Sequence, residues 1–360
     1  MRKVFFKGVP VLLFTTLTVT ACSFGSDEAM KEMDTPPVSY VEEGDSLDIE
    51  ELGEEISEEN AQDEGEVDEE AVKDKVEREL YLIDSNGLVV PQTLALPKTE
   101  GTLRQSLEYL VQDGPVSDML PNGFQAVIPA GTTVDVNLKD GTAIADFSKE
   151  FKEYNPEQEQ QILQAITWTL TQFDNVEQVQ IRINGHNQET MPVNGTPIGK
   201  GVSRANGINI EADNVVDVVN SKGVNLYFLA QNGDNTYYVP VTRRVSNETD
   251  TVKVAVEELL KGPSYHSNLL TEFSKGVALI DEPMYENGVV TLNFNEALLN
   301  QLQGSAVSQE VMNMLALTLT EQEGIEKVAV QVNGEGNILS ESGEVAEPVS
   351  RPTKINKGSF

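Results

Sequence analysis

Cysteine is almost absent from this 360-residue chain, whose single example is Cys22, close to the N-terminus. One cysteine cannot form a disulfide within the chain, so disulfides give no information about the compartment in which the protein works. Histidine is nearly as scarce. His186 and His266 are the only two, and neither has a second histidine one helical turn away. These absences exclude a disulfide framework and a helical zinc pair.

Positive charge is also scarce, with 25 lysines and arginines against 59 aspartates and glutamates and a formal net charge of -34. A polyanion repels nucleic acids and anionic lipid headgroups, so neither is an expected partner. The imbalance is concentrated, because 23 of the acidic residues lie between Asp27 and Glu79. This pattern indicates an acidic tail at the start of the mature chain.

The first residues have the features of a secretion signal. A short basic region is followed by residues 9–19, which are apolar apart from threonines and too few to span a bilayer. Residues 19–22 (VTAC) resemble a bacterial lipobox, which implies cleavage before Cys22 and attachment of diacylglycerol to it. We therefore predict a lipoprotein signal peptide over residues 1–21 and lipidation of Cys22. The alternative is an ordinary secreted protein with an incidental cysteine.

Residues 22–79 are predicted to form a lipid-anchored, acidic and disordered linker. They contain few aromatic residues and many acids, so they cannot bury enough apolar surface to offset the entropy of ordering. Repulsion between like charges extends such a segment. Two roles stay open from the sequence, namely a solvated spacer and a docking site for a basic partner.

One stretch occurs twice in the rest of the chain. Residues 202–209 (VSRANGIN) and 349–356 (VSRPTKIN) agree at five of eight positions. Further matches precede each copy at a nearly constant offset of about 147 residues, which is the signature of an internal repeat. We therefore predict two tandem domains, at residues 80–210 and 224–360.

Each copy predicts the same order of elements, β-β-α-β-β-α-β. Asn-Gly or Asp-Gly turns join pairs of short apolar runs and favour hairpins. Apolar residues recur at helical spacing in the first helix of each copy, namely Leu103, Leu107, Leu110 and Val111, then Val252, Val256, Leu259 and Leu260. They also recur in the second helix, namely Ile162, Ile166 and Leu170, then Val311, Leu315 and Leu319. The predicted fold class is α+β, with two helices packed on one face of a mixed or antiparallel sheet.

The ends of these helices are also predicted. Thr102 with Gln105 fits a capping box at the start of the first helix. Gly114 and Gly262 fit positions just beyond the C-termini of the equivalent helices, because a proline follows each of them. The second helix is predicted to begin near Asn155 and the proline after it.

Four segments of the second copy resemble the GerMN domain of the GerM family of sporulation and germination lipoproteins. These are residues 226–229 (LYFL), 259–263 (LLKGP), 292–295 (LNFN) and 325–334 (IEKVAVQVNG). The lipobox, the acidic linker and the tandem repeat are similar to those of the same family. The first copy has ADFS where the second has LNFN, so the second copy is nearer to the family pattern. The resemblance implies two tandem GerMN domains, similar to the small ring-building domains of secretion systems.

The two copies share no set of polar residues that could carry a reaction. Residues 195–200 (GTPIGK) lack the ending of a phosphate-binding loop, and residues 84–87 (DSNG) are better explained as a turn than as part of a calcium loop. His186 and His266 fall at unrelated positions of the repeat and are predicted to be surface residues. Trp168 falls in the second helix, where a packing role is favoured over ligand stacking.

No Gly-x-Ser-x-Gly elbow is present, and no cysteine remains for catalysis once Cys22 is lipidated. The sequence therefore predicts no catalytic, cofactor-binding or metal-binding residues and no cofactor. Cys22 is the one residue to which it assigns a functional modification.

The resemblance implies a non-enzymatic, lipid-anchored protein of endospore formation. Such a protein assembles or positions the channel complex between mother cell and forespore and is needed for normal germination. The expected location is the extracytoplasmic side of the cell membrane, in the intermembrane space during sporulation. The expected partners are the membrane, through the lipid on Cys22, and proteins of the channel complex, with peptidoglycan contact and self-association left open.

Two other classes of protein are considered. A peptidoglycan-processing enzyme of the spore wall would need an acid/base pair, and the sequence does not indicate one. A solute-binding envelope lipoprotein would need a deep apolar pocket with convergent polar groups.

Overall fold

The computed structural model describes residues 75–211, 220–247, 250–299 and 306–357. The predicted signal peptide, Cys22 and the linker up to residue 74 lie outside the described residues. The prediction of a disordered linker up to residue 79 is wrong at its end, because residues 75–79 form part of a strand paired with residues 93–97. All of the described residues belong to one compact unit, Glu66–Phe360.

The first repeat has the predicted order of elements. Its strands and helices are β1 (Lys75–Ile83), β2 (Val89–Pro97), α1 (Thr102–Glu108), β3 (Val134–Lys139), β4 (Thr142–Phe147), α2 (Glu159–Leu170), β5 (Gln178–Ile183) and the short β6 (His186–Asn187). Two 3-10 turns, Lys149–Lys152 and Pro156–Gln158, lead into α2, and a third, Arg204–Asn206, lies near the end of the repeat.

The second repeat follows the same plan with three additional short strands. Its elements are β7 (Ser221–Asn232), β8 (Asn235–Ser246), α3 (Thr251–Leu260), β9 (Met284–Glu286), β10 (Val289–Phe294), β11 (Ala306–Val307), α4 (Gln309–Leu319), β12 (Lys327–Val332), β13 (Leu339–Ser340) and β14 (Val349–Ser350). The predicted α+β class and the predicted duplication are both confirmed.

Each repeat combines a long antiparallel hairpin with a mixed sheet. The hairpins are β1–β2 and β7–β8. The mixed sheets have the strand orders β3-β4-β5-β6 and β14-β12-β10-β9. In each sheet the two central strands are parallel, because a helix crosses over between them in the chain.

The predicted turns are confirmed by their backbone angles. Asp140 and Gly141 have φ values of 49° and 73°, and their counterparts Asn287 and Gly288 have 49° and 77°. Two successive positive φ angles give the turn that matches the twist of paired strands, and Asn, Asp and Gly tolerate them best. Local sequence is thus sufficient to place these hairpins.

The predicted caps are right at α3 and wrong at α1. The predicted start at Asn155 is also right, because Asn155 caps the 3-10 turn that leads into α2 and Pro156 follows it. Gly262 follows α3 with a φ of 80°, as predicted. At α1, however, Gly101 is the N-cap and no side chain caps the helix, because the amide of Gln105 instead donates to the Pro97 carbonyl. Gly114 lies well beyond the end of α1, and its glycine is explained by close packing, since a Cβ there would lie 2.8 Å from the Val111 carbonyl oxygen.

The apolar core is continuous between the repeats. The apolar residues predicted for the helices are buried in both copies, except Leu103 and Leu260, which are partly buried. All of them pack in or against one cluster that includes hairpin residues of both repeats. Trp168, Tyr81 and Phe228 are among the fully buried large side chains. Among the described residues, no helix is long and apolar enough to cross a membrane.

Candidate functional site

The repeated stretch of the sequence crosses from each repeat to the other. Ile208, at the end of the first repeat, exchanges two hydrogen bonds of 2.8 Å with Thr242 in β8 of the second. Ile355, at the end of the second repeat, exchanges bonds of 3.0 and 3.1 Å with Thr93 in β2 of the first. We call residues 204–209 and 351–356 the two straps. Each strap therefore binds the hairpin of the opposite repeat.

An asparagine completes each strap by bridging the two hairpins. Asn209 accepts a bond from the Val89 N–H at 2.8 Å and donates to the carbonyls of Val89 and Pro240 at 2.7 and 2.8 Å. Asn356 makes the corresponding bonds with the hairpins exchanged, accepting from Tyr238 N–H at 2.7 Å and donating to the carbonyls of Tyr238 and Pro91 at 2.8 Å. The contact is thus reciprocal, as in an isologous dimer interface.

The two straps also carry one arginine each to a shared carboxylate. Nη1 of Arg204 lies 3.3 Å, and Nη1 of Arg351 3.2 Å, from Oε1 of Glu321. The Glu321 side chain is only 7% exposed. Arg204 stacks on Trp168 at 4.4 Å from the ring centroid, and Arg351 donates to the Tyr227 hydroxyl at 3.0 Å. This ion network joins groups from both repeats beside a polar cleft of about 490 Å³.

Asp84 is a structural residue that also links the repeats. Its Oδ1 accepts from the N–H groups of Asn86 and Leu88 at 2.9 and 2.8 Å, which confirms the predicted turn. Its Oδ2 accepts from the hydroxyl of Tyr237, in the second repeat, at 2.8 Å. Asp84 is 2% exposed, so its carboxylate is held within the protein and does not face a ligand.

The glycine-containing loop at residues 195–200 is organised around a protein carboxylate. Glu159, at the start of α2, accepts from the N–H groups of Asn194 and Thr196 at 2.6 and 2.8 Å and from the Tyr154 hydroxyl at 2.7 Å. Burial raises the pKa of Glu159, but these hydrogen bonds outweigh it and lower the pKa to about 2. Of the loop amides that a phosphate would need, the Thr196 N–H is therefore used by Glu159, and the N–H groups of Ile198 and Gly199 donate to the Glu189 carbonyl.

A cleft of about 910 Å³ in the second repeat has Arg243 at its floor. Arg243 donates to Glu211 through Nε at 2.6 Å and to the Gly262 carbonyl through Nη2 at 2.6 Å. Its Nη1 lies 3.4 Å from Oε2 of Glu258. The guanidinium is thus satisfied by the protein itself, and this network fixes the end of the first repeat to the second.

The comparisons with known proteins agree with this architecture. The profile of the family described as "Germane: Sporulation and spore germination" matches residues 79–189 and 225–337. This chain belongs to that family.

Two relatives match this chain over most of its length. The spore germination protein GerM of Bacillus subtilis (strain 168) is 48% identical over 365 residues, which cover 98% of this chain and 99% of that protein. The solved structure of the tandem GerMN domains of the sporulation protein GerM from Bacillus subtilis is 54% identical and superposes with a TM-score of 0.74. It covers 79% of this chain and 100% of that one. The resemblance to the GerM family is confirmed.

The remaining candidate residues are not brought together in these two GerMN repeats. His186 lies exposed in β6 of the first repeat, and His266 lies exposed beside Tyr265 in the second. Trp168 is fully buried and donates to the Gly207 carbonyl at 3.3 Å, so its packing role is confirmed. Within the described ranges, no three His, Cys, Asp or Glu side chains are arranged to hold a metal ion. The predicted lipidation of Cys22 lies outside the described residues.

Sequence reasoning missed the buried charges. Glu159, Glu321 and Arg243 have partners far away in the chain, and nothing in their local sequence indicates those partners. A signal was present for Arg204 and Arg351, because both occur in the repeated stretch. The repeat drew attention to these two arginines, but it did not show that both bind Glu321.

Proposed function

We propose that this protein is a non-enzymatic docking protein of endospore formation, anchored to the membrane by a lipid. The observation that carries the proposal is how its buried charged groups are used. Asp84, Glu159, Glu321 and Arg243 all bind other parts of the same chain, so none of them is presented to a substrate. The family is named for a process, sporulation and spore germination, and that name supports a role outside catalysis.

The partners we propose are components of the channel complex between mother cell and forespore. The protein would assemble or position that complex and so support normal germination. Membership of the GerM family supports this role, and the Bacillus subtilis relative is named as a spore germination protein. Contact with peptidoglycan and self-association are compatible with this role.

The proposed location is the outer face of the cell membrane, within the intermembrane space during sporulation. Residues 1–21 would act as a lipoprotein signal peptide, and acyl chains such as palmitate on Cys22 would hold the mature protein. The acidic linker that precedes β1 would then raise the effective concentration of both GerMN domains near the membrane without adding contacts of its own.

The anchor is tested by labelling sporulating cells with a radioactive fatty acid. Cys22→Ala should remove the label and leave an uncleaved precursor, because the thiol is the acceptor of the lipid. Cys22→Ser keeps the size of the side chain but also removes the thiol, so it should lose the label as well. Equal labelling of the wild-type and variant proteins would refute the anchor.

The absence of catalysis is tested by sporulation efficiency. His186→Ala and His266→Ala should sporulate like the wild type, because both side chains are exposed and lie in different repeats. Asp84→Ala, in contrast, should reduce the amount of folded protein, since it removes a buried group with several partners. A histidine variant that is folded, anchored and abundant yet cannot sporulate would favour an enzyme over a docking protein.

A further inference from the structure

The mixed sheets of the two repeats expose the same face, and their matched positions can be compared. In the first repeat this open face is polar. Asn137, Ile144 and Gln180 lie side by side across its middle. The next row holds Thr142 and Gln178, which are joined by a hydrogen bond of 2.9 Å. The open face of the first repeat thus has polar side chains on both sides of Ile144.

The corresponding face of the second repeat is more apolar. Met284, Thr291 and Ala329 occupy its middle row, in the places of Asn137, Ile144 and Gln180. Met284 is 54% exposed. Ile280 runs beside β10, where its N–H donates to the Asn293 carbonyl at 2.9 Å, and it is 47% exposed.

One end of this face carries two carboxylates and one lysine. Glu286 lies in the same row as Val289 and Lys327, and Glu326 lies beside the turn that precedes β10. Among the described residues, neither Glu286 nor Glu326 belongs to an ion pair, whereas the neighbouring Glu282 is paired with Lys253. The open face therefore combines exposed apolar groups with two carboxylates and one lysine, so its charged end is negative on balance.

We propose that the open face of the second repeat, formed by Ile280, Met284, Val289, Thr291 and Ala329, is a docking surface. Its occupant is a protein segment with an apolar centre flanked by lysines or arginines. An apolar centre would cover the exposed methionine and isoleucine, and the flanking cations would complement Glu286 and Glu326. This inference rests on the proposed docking function and names the surface and the chemistry of the partner.

The test uses the full chain with labelled Ile, Met and Ala methyl groups and three short synthetic peptides. One peptide is amphipathic with leucine and lysine, the second has glutamate in place of lysine, and the third has glutamine in place of leucine. The leucine–lysine peptide should shift the methyl signals of Ile280, Met284 and Ala329 saturably, and the other two should not. The Ile144 methyl in the first repeat is the internal control and should not move.

Two variants exchange matched residues between the open faces of the two repeats. Met284→Asn with Ala329→Gln places the residues of the first repeat on the second and should weaken peptide binding at least tenfold. Ile144→Thr, the reverse exchange in the first repeat, should have no effect on binding. Equal shifts at Ile144, binding of the lysine–glutamine peptide with similar affinity, or no shifts at all would each overturn the inference.

Sporulation of the same variants separates this inference from the proposed function. If the double variant loses both peptide binding and sporulation while the protein stays abundant, the surface and its role are both supported. If peptide binding fails in the wild type while Cys22 and histidine variants behave as expected, only the docking surface is wrong. Normal sporulation of a variant that no longer binds peptide would contradict a role for this surface in spore formation.

Discussion

At the scale of single residues, the polar groups that matter most are buried and bonded to distant parts of the chain. Asp84 and Tyr237 are 153 positions apart, and Arg204 and Glu321 are 117 apart. Burying such a charge without its partner would cost several kcal/mol, so each group depends on the folded state for its satisfaction. These residues therefore hold distant parts of the fold together.

Glu159 should make the stability of the protein depend on pH. Its pKa in the folded state, about 2, lies below the value of an unfolded glutamate. A depressed folded pKa gives stability that is present above the unfolded pKa of about 4.3 and is lost as the pH falls towards 2. Glu159→Gln should therefore lower the free energy of unfolding by about 3 kcal/mol at pH 7 and by much less near pH 2.5.

Denaturant unfolding of both proteins at several pH values measures this effect. Glu157→Gln is the control, because Glu157 is exposed and close in sequence to Glu159. A difference between wild type and Glu159→Gln that stays constant from pH 7 to about pH 2.5 would show that the charge of Glu159 is unimportant.

At the scale of elements, local sequence was sufficient where the structure is local. The hairpin turns at Asp140 and Asn287 and the end of α3 at Gly262 follow from residues that tolerate a positive φ. The capping box predicted at the start of α1 was wrong, because the side chain of Gln105 donates a hydrogen bond to the Pro97 carbonyl in β2. A tertiary contact of this kind cannot be predicted from a capping pattern.

The helix α3 should depend on its cap more than α1 does. The Asp250 side chain accepts from the Lys253 N–H at 2.9 Å and from the Tyr285 hydroxyl at 3.1 Å, so it fixes both the helix and β9. Asp250→Ala should lower stability by about 1–2 kcal/mol, as the loss of a cap typically does. Glu257→Ala is the control, because Glu257 is exposed in the same helix. Thermal unfolding should show that it changes the unfolding free energy by less than about 0.5 kcal/mol. Similar effects of the two changes would contradict the role of the cap.

At the scale of the whole molecule, the sequence predicted that there are two repeats but not how they are joined. The match between residues 202–209 and 349–356 was visible, yet its meaning depends on contacts such as Asn356 with Pro91, 265 positions apart. Pairwise contacts over such distances leave no periodic pattern in the chain. The straps and the shared core make the two GerMN repeats one structural body. A single repeat would lose the strap that the other contributes, and its own strap would have no opposite hairpin to bind.

The most direct test of this account follows Trp168, the only tryptophan, which lies in the first repeat. Asn356→Asp alters the strap of the second repeat and replaces the amide donor to Pro91 and Tyr238 with a carboxylate. Asn333→Asp is the control, since Asn333 is exposed and has a similar φ of 50°.

Urea unfolding is monitored by Trp168 fluorescence and by circular dichroism. If the repeats act as one body, Asn356→Asp should lower the urea midpoints of both signals together. The unfolding free energy should fall by about 2–3 kcal/mol, whereas Asn333→Asp should change it little. An Asn356→Asp protein whose Trp168 transition is unchanged, while the dichroism shows a separate and weaker transition, would contradict the account.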